Sequence, residues 1–412
     1  MIFFKCQIYT KMIHFFDAFQ KKSTKRPRKV CFVITSKIHY SRSKLILTEL
    51  KKRQEREKDV ELQIVVAASA LIKRYGDVEG LMKRDGFIIH GRITMFLEGG
   101  NTIAMAKTTG LGIIEFSSVF DNLNPDIIVI RGDRYEVLSA ALAGAFMNKT
   151  IAHIEGGDVS GSIDESVRHA ITKLSHVHFV SNEESRDRVI RMGENKKFVY
   201  NVGASDVEFA SLVTKTITNS DINKFGEGAE IDIDAPFLLL IQHPVTTDEK
   251  NNKANIEETL IALDELRMPT IVIWSNNDAG ADEVKDSITE WRKEKTVDKY
   301  MRFISYIDPE SFINLLTKTV CLVGNSSSGI KECSYLGVPV VNIGDRQNGR
   351  LKDNNVIDVP SLSSAIVNAI KVQIKNGSYP RSSLYHKKDS SKTIARILSK
   401  VDLYTQKTFI KN

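Results

Sequence analysis

The run DIIVIRGDRYEVLSAALAGAFMNKTIAHIEGGD, residues 126–158, sets the architecture. Two aliphatic segments, 126–130 and 151–154, each end in a polar cluster. The first is Arg131-Gly132-Asp133-Arg134 and the second Glu155-Gly156-Gly157-Asp158. Segments that are apolar throughout, rather than alternating, belong to strands buried on both faces of a parallel sheet. The pattern repeats outward. In the first half, strands are expected at 30–35, 62–67, 87–89, 177–180 and 198–201. In the second half they are expected at 237–242, 270–274, 301–304, 320–323, 338–343 and 356–359. Helical patterns such as 41–56, 101–120, 166–174 and 255–266 lie between them. Strand–helix alternation on this scale implies α/β architecture with parallel sheets.

The alternation breaks around 205–236, a polar stretch ending in GEGAEIDIDAP. A chain of 412 residues exceeds one ordinary core. The expected division is a basic extension at 1–27, a Rossmann-like domain at 28–205, a second Rossmann-like, nucleotide-binding domain at 206–385, and a helix at 389–402 within the last segment, 386–412. Two doubly wound domains thus face a central cleft. No GxGxxG fingerprint occurs in the first half, so a nicotinamide or flavin cofactor has no support. No solenoid repeat is visible.

Composition narrows the function. Apolar residues make up 42% and charged residues 26%, the balance of a globular protein. No apolar run reaches the roughly 18–20 residues that span a bilayer. The formal charge of +7 resides in residues 1–29, which hold eight basic residues and one acid. The rest is formally neutral, so neither a nucleic-acid footprint nor a membrane partner is indicated. Lys5 and Lys11 interrupt the first apolar stretch and no small-residue cleavage site follows, a poor signal peptide. That segment reads as a disordered extension, or as lying upstream of a start at Met12 or later, and is assigned no function. Cys6, Cys31, Cys321 and Cys333 match no metal knuckle or CxxC pair. Cys31 and Cys321 sit in strand-like runs as small hydrophobes, which fits a reducing cytoplasm. No metal site is indicated.

In doubly wound sheets ligands bind beyond the carboxyl ends of the strands. Five polar clusters fall there: the two already quoted, His243-Pro244, Ser275-Asn276-Asn277-Asp278, and Asn325-Ser326-Ser327-Ser328-Gly329. GNSSSG runs into a helical pattern. It suits an anion at a helix start, and equally an ordinary cap. Glu332 on the following turns suits the two hydroxyls of a ribose, or a solvated face. Arg346 and Arg134 are candidate phosphate forks on facing domains. Asp133, Glu155 and Asp164 form a carboxylate trio. Acids held close together separate in pKa, so one serves as base and another as acid. Capping alone would account for Asp164, but not for Glu155 beside two glycines. His153, His176 and His178 read as core histidines; His243 is the better ligand candidate.

The run GDRYEVLSAALAGAFMNKTIAHIEGGDVSGSIDESVRHAITKLSH resembles the signature of hydrolysing UDP-N-acetylglucosamine 2-epimerases. QHPVTTD, NNDAG, GNSSSGIKE and GVPVVNIGDRQNGR follow in family order, and the resemblance covers residues 28–402. IEGGDVSGSIDESVRHA separates the hydrolysing branch from the non-hydrolysing one. The resemblance implies a glycosyltransferase-B-like fold whose last helix crosses back to the first domain. It implies release of UDP and N-acetylmannosamine through a glycal, for sialic-acid-type sugar synthesis, without a cofactor. It also implies a homodimer or homotetramer of the bacterial monofunctional type. By position, Asp133, Glu155 and Asp164 match acid–base residues. Arg134, His243, Asn276, Ser326, Ser327, Glu332 and Arg346 match contacts to the UDP-sugar. The first loop departs: Lys37 stands for the family's arginine and His39 for its acid. A point-charge Lys37 must meet phosphate differently, which opens a different sugar, such as a diacetamido-trideoxy hexose, or a different nucleotide. Ser305-Tyr306 replaces the Lys-His of the animal enzyme's feedback site. Non-hydrolysing epimerisation, glycosyl transfer and non-catalytic binding are the alternative readings.

Overall fold

The computed structural model describes residues 26–98, 101–160, 163–245, 249–274, 281–294, 297–305 and 307–411. The expectations for Asn276 and its neighbours, for Tyr306, and for nearly all of 1–27 lie outside these residues.

Two seven-stranded sheets carry the chain. The first contains β1 (Arg28–Ile34), β2 (Val60–Ala67), β3 (Gly91–Ile93), β4 (Ile127–Arg131), β5 (Thr150–Ile154), β6 (Val177–Val180) and β7 (Val199–Asn201), in the order β3-β2-β1-β4-β5-β6-β7. All its pairings are parallel. The second contains β8 (Glu227–Gly228), β9 (Leu238–Ile241), β10 (Thr270–Ile273), β11 (Met301–Ile304), β12 (Cys321–Gly324), β13 (Val340–Ile343) and β14 (Val356–Val359), in the order β14-β13-β12-β9-β10-β11-β8. Only β8 is antiparallel, against β11.

Successive strand residues point to opposite faces, and both faces are covered. Val30, Phe32 and Ile34 of β1 join a cluster with Ile46, Leu47 and Leu50 of the helix Lys37–Lys52. Ile394, Ala395 and Leu398 of the helix Ser390–Lys400 complete that cluster. Cys31 and Val33 face the other way, onto Phe116 and Phe120 of the helix Thr102–Leu123 and Val137 of the helix Tyr135–Phe146. In β9, Leu238 and Leu240 belong to one cluster and Leu239 and Ile241 to another. This two-sided burial is why the strands are aliphatic throughout.

Three local readings need correction. The triplet 87–89 is not a strand. The pairing segment is Gly91–Ile93, a sheet edge joined to β2 through Val65↔Gly91. Edge strands pair on one side only, so little aliphatic sequence is required there. The two-residue β8 was not foreseen, because it too is an edge. The helix after GNSSSG is also broken: Ser327–Ile330 ends at Lys331, with φ −94 and ψ −69, and Glu332–Leu336 follows. Among the described residues, no helix is long and apolar enough to cross a membrane.

Candidate active site

β4 and β5 are neighbours, and their carboxyl ends deliver Asp133 and Glu155 together. Glu155 is a non-glycine residue at φ +69. Left-handed backbone at such a residue is a local strain that surrounding contacts must hold. Here its backbone N–H donates to the carbonyl of Phe179 at 2.8 Å. Its side chain accepts from Arg131 Nη2 at 2.8 Å and lies 3.3 Å from Lys331 Nζ. Burial opposes ionisation of Glu155, but the charges of Arg131, Lys331 and Arg42 outweigh it and hold the carboxyl well below its ordinary range.

Asp133 accepts a hydrogen bond from Arg168, whose other terminal nitrogen donates to the Asp158 carbonyl at 2.8 Å. Burial raises the Asp133 pKa less than Arg168 and Arg350 lower it, and it falls to about 2. Both carboxylates are therefore anionic at neutral pH. Asp164 lies in the first turn of the helix Ile163–Leu174, the helix that carries Arg168, and its charge reaches that guanidinium. Asp133 and Asp164 thus share one buried arginine, Arg168, which is 1% exposed, while Glu155 is held by Arg131. Residue-type reasoning overlooked it and Arg131, because a buried arginine has no local sequence signal.

His39 is buried under this cluster. Its Nδ1 lies 2.9 Å from Thr35 Oγ1. Its Nε2 faces Gly132, where an added Cβ would lie 3.6 Å away and would need φ +77. Burial, with the charges of Arg134 and Arg131, lowers the imidazole to about 3, so it is neutral. Lys37 opens the helix Lys37–Lys52 and packs on Gly76, where an added Cβ would lie 2.6 Å from Lys37 Cδ. Burial lowers its amine to about 8. Arg134 forks onto Glu136, donating at 3.0 Å and 2.9 Å. A phosphate held by Arg134 must share it with that buried carboxylate.

In the second sheet one residue gathers the expected nucleotide contacts. Asn325 follows Gly324, whose φ is +124 and where a Cβ would lie 2.1 Å from the Ile241 carbonyl. Only glycine fits that approach. Asn325 Oδ1 accepts from the His243 backbone N–H at 2.7 Å, and its Nδ2 donates to the His243 carbonyl at 2.8 Å. Its own carbonyl accepts from Arg346 at 3.2 Å and Gln347 at 2.8 Å. His243, Ser326, Ser327 and Arg346 are therefore brought together. Ser326 caps the short helix, its hydroxyl accepting from the Ser328 N–H at 3.3 Å. Glu332 is buried; among the described residues its Oε2 has no partner, which suits a hydroxyl donor. Burial and the nearby Asp206 raise its pKa, against Arg42.

The two halves meet at these clusters. Arg42, from the first half, donates to Ser327 Oγ at 3.2 Å and lies 3.9 Å from Glu332. Val159 of the loop after Glu155 faces Gly349 after Arg346. His153, His176 and His178 are core groups: His153 bonds the Gly132 carbonyl at 2.8 Å and His178 bonds Glu194 at 3.2 Å. Among the described residues no His, Cys, Asp and Glu group is arranged to hold a metal ion.

Known proteins resemble this chain in sequence and in fold. A family model described as UDP-N-acetylglucosamine 2-epimerase matches residues 52–399. The UDP-N,N'-diacetylbacillosamine 2-epimerase (hydrolyzing) of Legionella pneumophila is 33% identical over 380 residues, covering 92% of this chain and 97% of that protein. The GDP/UDP-N,N'-diacetylbacillosamine 2-epimerase (hydrolyzing) of Campylobacter jejuni is 32% identical, covering 80% and 84%. Among solved structures, the Methanocaldococcus jannaschii UDP-GlcNAc 2-epimerase in complex with UDP-GlcNAc and UDP matches with TM-score 0.73 at 17% identity. That match covers 90% of this chain and 99% of that one, and establishes the shared glycosyltransferase-B-like fold. With its two facing parallel sheets and a family match across most of its length, this chain belongs to the UDP-N-acetylglucosamine 2-epimerase family.

Proposed function

We propose that the protein is a hydrolysing 2-epimerase of a UDP-linked 2-acetamido sugar, releasing UDP and the free epimerised sugar. The observation that carries this reading is the Lys331–Glu155 contact of 3.3 Å, which joins the nucleotide-side helix to the ionised carboxylates in one site. A carboxylate takes the proton from sugar carbon 2. The C1–O bond breaks and its electron pair leaves on UDP, giving the glycal. Water then adds, its hydroxyl to carbon 1 and a proton to carbon 2 on the opposite face. Asp133 and Glu155 are in the ionised form that can accept a proton, with their basicity held down by Arg168, Arg131 and Lys331, and Asp164 completes the trio. Ser326, Ser327, Arg346 and His243 supply donors to the leaving diphosphate.

UDP-N-acetylglucosamine, yielding N-acetylmannosamine for sialic-acid-type synthesis, is the first substrate to test. UDP-N,N'-diacetylbacillosamine is the second, favoured by the two diacetylbacillosamine 2-epimerases among its relatives and by the altered Lys37–His39 loop. Proton NMR of either sugar with the protein in heavy water tests the reading. Free epimer carrying deuterium at carbon 2, together with UDP, is expected. An epimerised sugar still joined to UDP would replace the reading with the non-hydrolysing one, and binding without turnover would reduce it to a binder.

A cytoplasmic location is supported by three free, buried cysteines. A homodimer or homotetramer is supported by the exposed Ile103, Leu111 and Ile114 on the helix Thr102–Leu123. A monomer in light scattering would remove that assignment.

A further inference from the structure

Lys331 sits at the break between the two short helices, with Ser327 on one side and Glu332 on the other. It is 2% exposed. In its own half its amino group lies over the Tyr385 ring, 6.0 Å from the centroid. It crosses to the first half, 3.3 Å from Glu155 Oε1 and 3.5 Å from Asp158 Oδ2. A second cation crosses the other way: Arg42 reaches Ser327 at 3.2 Å and lies 3.9 Å from Glu332. Arg350, from the second half, favours the ionised forms of Asp133 and Asp158, and its Nε and Nη1 are buried with no partner among the described residues.

A buried amine is costly to desolvate, and a well-packed apolar residue often stabilises as much. Fold stability is therefore a weak reason for Lys331 to be there. We infer that Lys331 is a positioning residue that completes the carboxylate cluster from across the cleft, so that Glu155 is fully paired only when the nucleotide-side helix has closed on it. Closure and carboxylate alignment then become one event, because the same six-residue stretch, 327–332, holds Ser327, Lys331 and Glu332. Glu155 is also faced by Arg131 and Arg42, with Asp133, Asp158 and Asp206 near, so removing Lys331 weakens its ionisation without abolishing it.

The inference rests on the proposed reaction, and its test separates the two. Lys331→Met keeps the length and removes the charge; Lys331→Arg restores the charge. With the UDP-sugar that the wild type turns over, K331M is expected to lower kcat by about tenfold or more while KM stays within about threefold. The acid limb of kcat moves to higher pH, and K331R recovers most of both. An unchanged kcat and acid limb would make Lys331 an inert ion pair. A raised KM at unchanged kcat would make it a nucleotide ligand. Either result overturns the inference. Small-angle X-ray scattering of the unliganded proteins needs no turnover: K331M should have a larger radius of gyration than wild type, and equal radii sink the idea. If the wild type turns over no UDP-sugar, the reaction reading fails and scattering still decides this one. Asp158→Asn cuts the same strut from the other side should K331M not fold: it too is expected to enlarge the radius of gyration, while the acid limb does not rise because Glu155 keeps Lys331.

Discussion

Replacing Arg131 by methionine tests how the carboxylates are held. Arg131 is 1% exposed and ends β4. It donates to Glu155 Oε1 at 2.8 Å, to Ser205 Oγ at 2.8 Å and to the Arg42 carbonyl, and lies 3.6 Å from Asp206. Methionine fills similar space and leaves two buried carboxylates short of a cation. Removing one partner of a buried pair costs about 3–5 kcal/mol. The sign of the pH dependence follows from Glu155. Its folded pKa is depressed, so it contributes stability above its ordinary value, lost as pH falls through the folded value. Without Arg131 that depression shrinks, so the gap between R131M and wild type is largest at neutral pH and narrows on acidification. Urea denaturation followed by circular dichroism at several pH values measures it. Trp274 and Trp291 both pack on the second sheet, so their fluorescence reports that half separately. A loss under about 1 kcal/mol, or one that is constant across pH, would refute the account.

Other outcomes follow from the same geometry. Glu155→Gln should lower kcat by about 10²–10⁴, the range of general acid–base groups, while calorimetry finds UDP affinity little changed. Arg346→Met should weaken UDP binding by about tenfold or more, because a charge-assisted bond to the diphosphate is lost. Lys407→Met should destabilise the first half by about 2–4 kcal/mol, seen in circular dichroism more than in tryptophan fluorescence. Lys407 Nζ donates to the carbonyls of Lys173 at 2.6 Å and Ser175 at 2.5 Å and pairs with Glu194 at 2.6 Å. Burial opposes ionisation of Glu194, but His178, Lys173 and Lys407 bring it to about 2. Its stabilisation is therefore present above its ordinary value of 4.5 and lost as pH falls towards 2. Cys31, Cys321 and Cys333 should resist a thiol reagent until the chain unfolds, since burial pushes all three thiols up, Cys31 to about 12.

What the sequence determined by itself was the framework. Strands buried on both faces must be aliphatic along their whole length, so β1, β4, β5, β9 and β12 announce themselves. Strand ends in such sheets are where polar clusters gather, so Asp133, Glu155, Ser326 and Ser327 stand out as site candidates. Edges escaped, as at 87–89 and β8, because a strand paired on one side carries little aliphatic signature. What only the tertiary structure decided was the pairing of charges. Nothing near Arg131, Arg168 or Lys331 in sequence says that each is buried, or which carboxylate it meets. Their partners come from other strands, and for Lys331 from the other half of the chain. Coulomb interactions act through space and strengthen with burial. Which carboxylate is ionised, and what holds it so, is therefore fixed only when the two sheets come together.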